Sequence, residues 1–195
     1  MEWNEEMIPK KIIIITDGDG NAKAAVEKAG QNLGLRTISL SSGNPTLIPK
    51  EELVDQILHC QGEPVLVMVD DAGARRKGEG EQRLEGLVKD ERLQVLGVLA
   101  VASDTEKVEG TPVDLSVNRQ GQILRRPVDK EGHAERKGRF RVEGDTVDIL
   151  NRLDVPIVVG VGDPGKMGEA DAVEDGAQIT TLAIKEVLKH HGLTH

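Results

Sequence analysis

Four consecutive isoleucines, Ile12 to Ile15, run directly into Thr16 and the turn Asp17-Gly18-Asp19-Gly20. β-Branched side chains are stiff at χ1 and poor in helices, and an unbroken apolar run suits a strand covered on both faces. The sharp turn that follows needs glycine and short polar residues. Ala22, Ala25, Val26, Ala29 and Leu33 then recur at helical spacing until Gly34 stops the pattern. Strand, loop and helix in this order open a parallel α/β sheet. Two carboxylates are left at the strand's carboxyl end, the edge at which open α/β sheets bind ligands.

The same unit repeats. Leu35–Leu40 reads as a second strand. A helix follows, with Pro49, Glu51 and Glu52 in its first turn and Leu53, Val54, Ile57 and Leu58 on its buried face. Pro64–Val69 is a third strand closing on Asp70 and Asp71. Residues 74–81 are charged and glycine-rich and read as a mobile loop, after which Leu84, Leu87 and Val88 mark a third helix. A fourth strand, Val95–Ala102, ends at Ser103. Three β–α–β steps in a row argue for right-handed crossovers and a parallel sheet.

The rhythm changes over residues 106–141. Val113–Asn118 and Gln122–Arg125 alternate around Arg119-Gln120-Gly121, the pattern of a β-hairpin. From Arg119 to Arg141 eight basic residues stand against three acidic ones, in a chain of net charge −9. The segment is too short and too poor in apolar residues to fold alone, so it reads as a basic β-hairpin insertion. Residues 144–153 then suggest a short helix capped by Asp145 or Thr146, Pro156–Val161 a fifth strand, and Leu182, Ala183, Val187 and Leu188 a last helix. The expected architecture is a three-layer α/β sandwich over residues 1–195. It has a five-stranded, mainly parallel, doubly wound sheet in the flavodoxin-like order 2-1-3-4-5, with the hairpin excursion between strands four and five.

Composition excludes some functions. One Trp, one Phe and no Tyr leave little for bases to stack on, and the acidic balance disfavours nucleic acid. No apolar run approaches the ~20 residues of a membrane span, and Met1–Glu6 is acidic where a signal peptide is positive. The protein is expected to be soluble, or bound to a membrane only through partners. Cys60, the single cysteine, excludes an intrachain disulfide and fits a reducing compartment.

Acids gather at three strand ends: Asp17 and Asp19, Asp70 and Asp71, and Asp163. Clustered hard oxygen ligands suit Mg²⁺, while the bland alternative is that each aspartate caps the helix that follows it. Gly160–Lys166 has P-loop spacing, but Met167 stands where a hydroxyl would bind Mg²⁺. It also fits a dinucleotide fingerprint, but Pro164 removes an amide from the cradle. A tight glycine-shaped turn explains it better, with Lys166 an anion contact. His59 and Cys60 fit capping or packing at a helix end, His190 and His191 the last turn of the final helix, and Trp3 a docked N-terminal arm. No hydrolase elbow is present. The excursion is a solvated hairpin, a contact for an anionic lipid surface or acidic partner, or an anion site at Arg125 and Arg126, whose guanidinium forks match carboxylates.

Acids after strand one, Asp70 after strand three, Ser103 after strand four and Lys166 after strand five resemble receiver domains. That resemblance implies Mg²⁺ on Asp17 and Asp19, a phosphoryl group on Asp70, and Lys166 touching it. The basic excursion departs from it. A topoisomerase-primase type sheet is a second acidic resemblance, with Asp17 where that family has glutamate.

The phrases Ile15–Asp19, Ser42–Thr46, Val65–Asp71, Leu96–Ser103, Gly144–Val147 and Gly162–Met167, in this order, resemble the soluble stage V sporulation protein AE family. The resemblance implies a spore-forming Firmicute and a role in the operon that moves dipicolinic acid, with calcium, into the forespore and releases it on germination. It also implies peripheral attachment to the spore inner membrane through other products of that operon. It brings no catalytic residues with it. The leading expectation is thus a non-enzymatic accessory that binds partners, with homo-oligomers and anionic lipid as further associations. The alternative is a Mg²⁺-dependent phosphoryl- or nucleotide-handling domain.

Overall fold

A computed structural model of the chain describes residues 8–72, 78–104, 108–135 and 140–193. Trp3, residues 74–77 of the charged loop, Glu106 at the start of the excursion, and Arg136, Lys137 and Arg139 of its basic stretch lie outside the described residues.

The isoleucine run forms strand β1 (Lys10–Ile15), and all four isoleucines are fully buried. Burying side chains of this size contributes about 1.5–3 kcal/mol each, which fixes the strand at the centre of the sheet. Ile12 and Ile14 face one core, Ile13 and Ile15 the other. Helix α1 (Gly20–Leu33) follows, ended by Gly34 in the left-handed region at φ 67°. Then come β2 (Arg36–Thr37), α2 (Lys50–His59), β3 (Val65–Met68), α3 (Glu79–Val88) and β4 (Leu93–Val101). The excursion supplies β5 (Leu115–Val117) and β6 (Ile123–Leu124), and the chain closes with β7 (Val158–Val161) and α4 (Gln178–His190). Residues of α1 and α4 pack in one core, while α2, α3 and a 3-10 turn at Asp148–Arg152 pack in the other. The three layers are as expected.

The strand order is not. The seven strands run β2-β3-β1-β4-β7-β5-β6, so the five parallel α/β strands stand in the order 2-3-1-4-5 rather than 2-1-3-4-5. The physical reason lies in β2. Only Arg36 and Thr37 pair in the sheet, neither is buried, and the chain then coils into a 3-10 turn at Ser39–Ser41. Such a strand suits an edge. The fully buried Val65–Met68 takes the place beside β1, in register Ile12 with Val65 through Ile15 with Met68.

The hairpin forms around Gly121 (φ 73°) as its turn chemistry indicates, but it does not stand apart. β5 pairs parallel with β7, and the excursion extends the main sheet to seven strands. Ser116 Oγ lies where a Cβ on Gly160 would come within 2.3 Å, so glycine is required for the two strands to lie this close. Two helix boundaries also differ from expectation. Helix α3 begins at Glu79, inside the expected loop, and in place of the α-helix expected over residues 144–153 only a 3-10 turn forms, at Asp148–Arg152.

Candidate functional site

With β1 between β3 and β4, the β1 loop leads to a helix on one face and the β3 loop to a helix on the other. Opposed departures of this kind open a crevice at the strands' carboxyl ends. Here the crevice is a cavity of about 190 Å³ lined by Asp17, Asp19, Asp70, Asp145 and Asp163, with Lys166, Ser103, Thr16, Asn44 and Val101. Five carboxylates and one ammonium come from the ends of β1, β3 and β7 and from the segment preceding the 3-10 turn, and the end of β4 adds the Ser103 hydroxyl.

Each acid is set by local geometry. Asp17 accepts the Asp19 amide at 3.0 Å. Asp19 caps α1, its Oδ1 accepting the Asn21 and Ala22 amides at 2.8 Å, while Oδ2 accepts from Lys166 Nζ at 2.9 Å. The capping and site readings of Asp19 thus hold together on different oxygens. Asp70 accepts from the amides of Gly18 (3.2 Å) and Ala72 (2.9 Å). Its backbone lies so close to α3 that a Cβ on Gly80 would sit 2.5 Å from the Asp70 carbonyl. Asp163 accepts from Lys166 at 3.0 Å, and its own amide donates to Lys130 O, in the excursion, at 2.8 Å.

Carboxylate oxygens of Asp17, Asp19 and Asp163 all lie within 4.8 Å of one another. Burial pushes the Asp17 carboxyl up to about 8; the Asp19 amide opposes this, and the charges of Asp19, Asp70 and Asp163 add to it. Burial likewise raises Asp70, against the amides of Ala72 and Gly18 and with the charges of Asp145 and Asp19. For Asp19, burial is outweighed by its amides and by Lys166, and the pKa falls. Burial also pulls on the Lys166 ammonium, but the bonds to Asp19 and Asp163 outweigh it and hold its pKa above the usual range. The corner therefore carries excess negative charge that one lysine partly neutralises.

Other expected residues fall elsewhere. Asp71 accepts from the Gly80 and Glu81 amides at the start of α3 and does not line the cavity. Arg125 and Arg126 are exposed at the hairpin, Arg126 on a separate open groove of about 830 Å³. Neither forms an ion pair among the described residues, whereas Lys130 pairs with Asp104 and Arg141 with Glu109. The Gly160–Lys166 loop does not open a helix, because α4 starts only at Gln178. It lacks the helix N-terminus that a phosphate loop uses. Gly162 is there for closeness: a Cβ would meet Gly132 N and Lys130 O at 2.7 Å.

Asp145 is the acid that sequence reasoning assigned only to a helix cap. A Cβ on Gly144 would lie 2.2 Å from Val101 O, so the chain hugs the end of β4 and delivers Asp145 to Ser103, which donates to it at 2.8 Å. The Gly144-Asp145 pair was the available signal. Asn44 reaches the cavity because its loop is stitched to the acid loops, Gly43 N to Gly18 O at 2.8 Å and Thr46 N to Asp70 O at 2.9 Å.

Fold and corner together define a three-layer α/β protein whose ligand edge is lined by carboxylates rather than by a phosphate cradle. The chain belongs to the stage V sporulation protein AE1 family, whose model matches residues 11–191, and its role is sporulation-related. No curated protein and no solved structure matches the chain. No helix among the described residues is long and apolar enough to cross a membrane.

Proposed function

We propose that the protein is an accessory of dipicolinic acid movement, with calcium, in spore formation and germination. It acts by binding partners at the spore inner membrane, and the acidic corner is its divalent-cation site. The observation that carries the reading is the approach of Asp17, Asp19 and Asp163 within 4.8 Å, with Asp70 and Asp145 on the same cavity. All these donors are hard oxygens, the set that Mg²⁺ and Ca²⁺ take. Asp17, Asp19 and Asp163 hold the ion, which supplies the positive charge that Lys166 alone provides only in part. The exposed Arg125 and Arg126 are the contact for an acidic partner or anionic lipid. The partner arm is tested by mixing purified protein with the other products of the operon and with phosphatidylglycerol vesicles at low salt. Salt-sensitive binding lost in Arg125→Ala/Arg126→Ala supports it. Binding to neither sinks it.

A second reading is favoured by one observation. Because β3 lies beside β1, Asp70 shares a cavity with Asp17, Asp19 and Lys166, the grouping that Mg²⁺-dependent phosphoryl or nucleotide handling needs. Incubation with acetyl phosphate and Mg²⁺, or with nucleotides, should then label or turn over substrate in an Asp70-dependent way. Wild-type protein indistinguishable from Asp70→Asn removes that reading.

A further inference from the structure

Among the described residues Lys166 is the only cation on the cavity, and its long side chain needs something to aim it. The β7–α4 connection that carries it is irregular from residue 162 to residue 177. Asp171, fully buried in that connection, is the residue that ties it together. Its Oδ2 accepts from Gly165 N at 2.8 Å and from Thr180 Oγ1 at 2.5 Å. Its Oδ1 accepts from Ile179 N at 2.8 Å and Thr180 N at 2.9 Å. Its own amide donates to Lys166 O at 3.2 Å. The main chain on both sides of the Gly165–Lys166 peptide is therefore bound to one aspartate. That aspartate is in turn anchored on the first turn of α4, where Ala177 at the cap position offers no side-chain bond.

A buried carboxylate is costly unless every lone pair is used, and here the donors come from two segments that must keep a fixed separation. Asp163 is held from the other side, its amide donating to Lys130 O at 2.8 Å while its carbonyl accepts from Lys166 N at 3.2 Å. Loosening Asp171 thus removes the hold on Gly165 N and Lys166 O while Asp163 keeps its own tie to the excursion.

We infer that Asp171 is the positioning residue of the acidic corner, setting Lys166 on Asp19 and Asp163. This rests on the corner being the functional site, but its test does not require a cation to bind. In the full chain, the ε-methylene protons of Lys166, identified by their absence in Lys166→Arg, report whether the side chain is held. A lysine fixed between two carboxylates gives two distinct proton shifts, and a freely rotating one gives a single averaged shift.

Wild type should show the split. Asp171→Asn should lose it, since an asparagine amide has one accepting oxygen and puts an NH₂ donor where the second oxygen accepts, and Thr180→Val, which deletes one donor and keeps the fold's volume, should narrow it. Val187→Ala, a core change on α4, should lower the melting temperature while leaving the split intact. A split retained in both Asp171→Asn and Thr180→Val overturns the assignment. So does a split lost equally in Val187→Ala. If Asp171→Asn does not fold, Thr180→Val decides alone. Absence of Mg²⁺ or Ca²⁺ binding by wild type would remove the cation reading without touching this result.

Discussion

Lys166 Nζ lies 2.9 Å from Asp19 Oδ2, joining the loop after β1 to the loop after β7 across 147 positions of sequence. The same ammonium is 3.0 Å from Asp163. One side chain thus bridges two of the three carboxylates grouped closely enough to share an ion.

Lys166→Met should therefore act as a lesion that a cation repairs. Its side chain is 38% exposed, so the two ion pairs are discounted for solvent, and the expected loss is about 1 kcal/mol. Urea unfolding in chelator should show that loss, and millimolar Mg²⁺ should recover more stability in the variant than in wild type. Equal responses would mean that lysine and ion do not compete.

The raised Asp17 carboxyl has a pH signature. Its folded value of about 8 lies above the ordinary carboxylate value, so between the two the folded state binds the extra proton. Stability is highest below the ordinary value and is lost as pH rises towards 8. In chelator, the melting temperature should fall from pH 5 to pH 8, and Asp17→Asn should flatten the slope. A slope unchanged in the variant would assign it to other groups.

Away from the corner, Asp90 predicts the opposite limb. Arg92 binds both its oxygens at 2.8 Å and Lys50 lies at 2.9 Å, against a side chain only 5% exposed. Arg92 first, and then Lys50, hold its pKa well below the carboxylate range despite burial. That stability is present above the ordinary carboxylate value and lost as pH falls through the depressed one. Asp90→Ala should cost about 2 kcal/mol at neutral pH, less than for a fully buried pair because both partners are partly solvated. The cost should shrink in acid, which denaturation at pH 7 and pH 3 measures.

Gly80→Ala tests how tightly the corner is built. Its Cβ would meet the Asp70 backbone at 2.5 Å, and main-chain atoms cannot swing aside as the end of a flexible side chain can. The expected cost is about 2–3 kcal/mol by chemical unfolding, typical of forced overpacking. Shifts of Asp70 and Gly18 resonances should accompany it.

Much of the fold could be read directly. Ile12–Ile15 and Val65–Met68 declare buried strands, and α1 and α4 follow from their apolar spacing, because burial leaves a local pattern. Strand order leaves none: that β3 displaces β2 from beside β1 follows from how little of Leu35–Leu40 can pair, which only the folded sheet expresses. The site was legible as acids at strand ends, and Asp17, Asp19, Asp70, Asp163, Ser103 and Lys166 do share one cavity. Asp145 was hidden because its place depends on Gly144 passing against β4. Asp71, next to Asp70 in sequence, turns instead to the α3 amides, since successive side chains leave an extended segment on opposite sides.

On the proposed reading, Asp17, Asp19 and Asp163 form a divalent-cation site. Isothermal titration of the chelator-stripped protein with Mg²⁺ and with Ca²⁺ tests it most directly. Saturable binding of one ion per chain, lost in Asp17→Asn/Asp19→Asn while the variant stays folded, is the predicted result. No heat of binding at millimolar ion in the folded wild-type protein would contradict it.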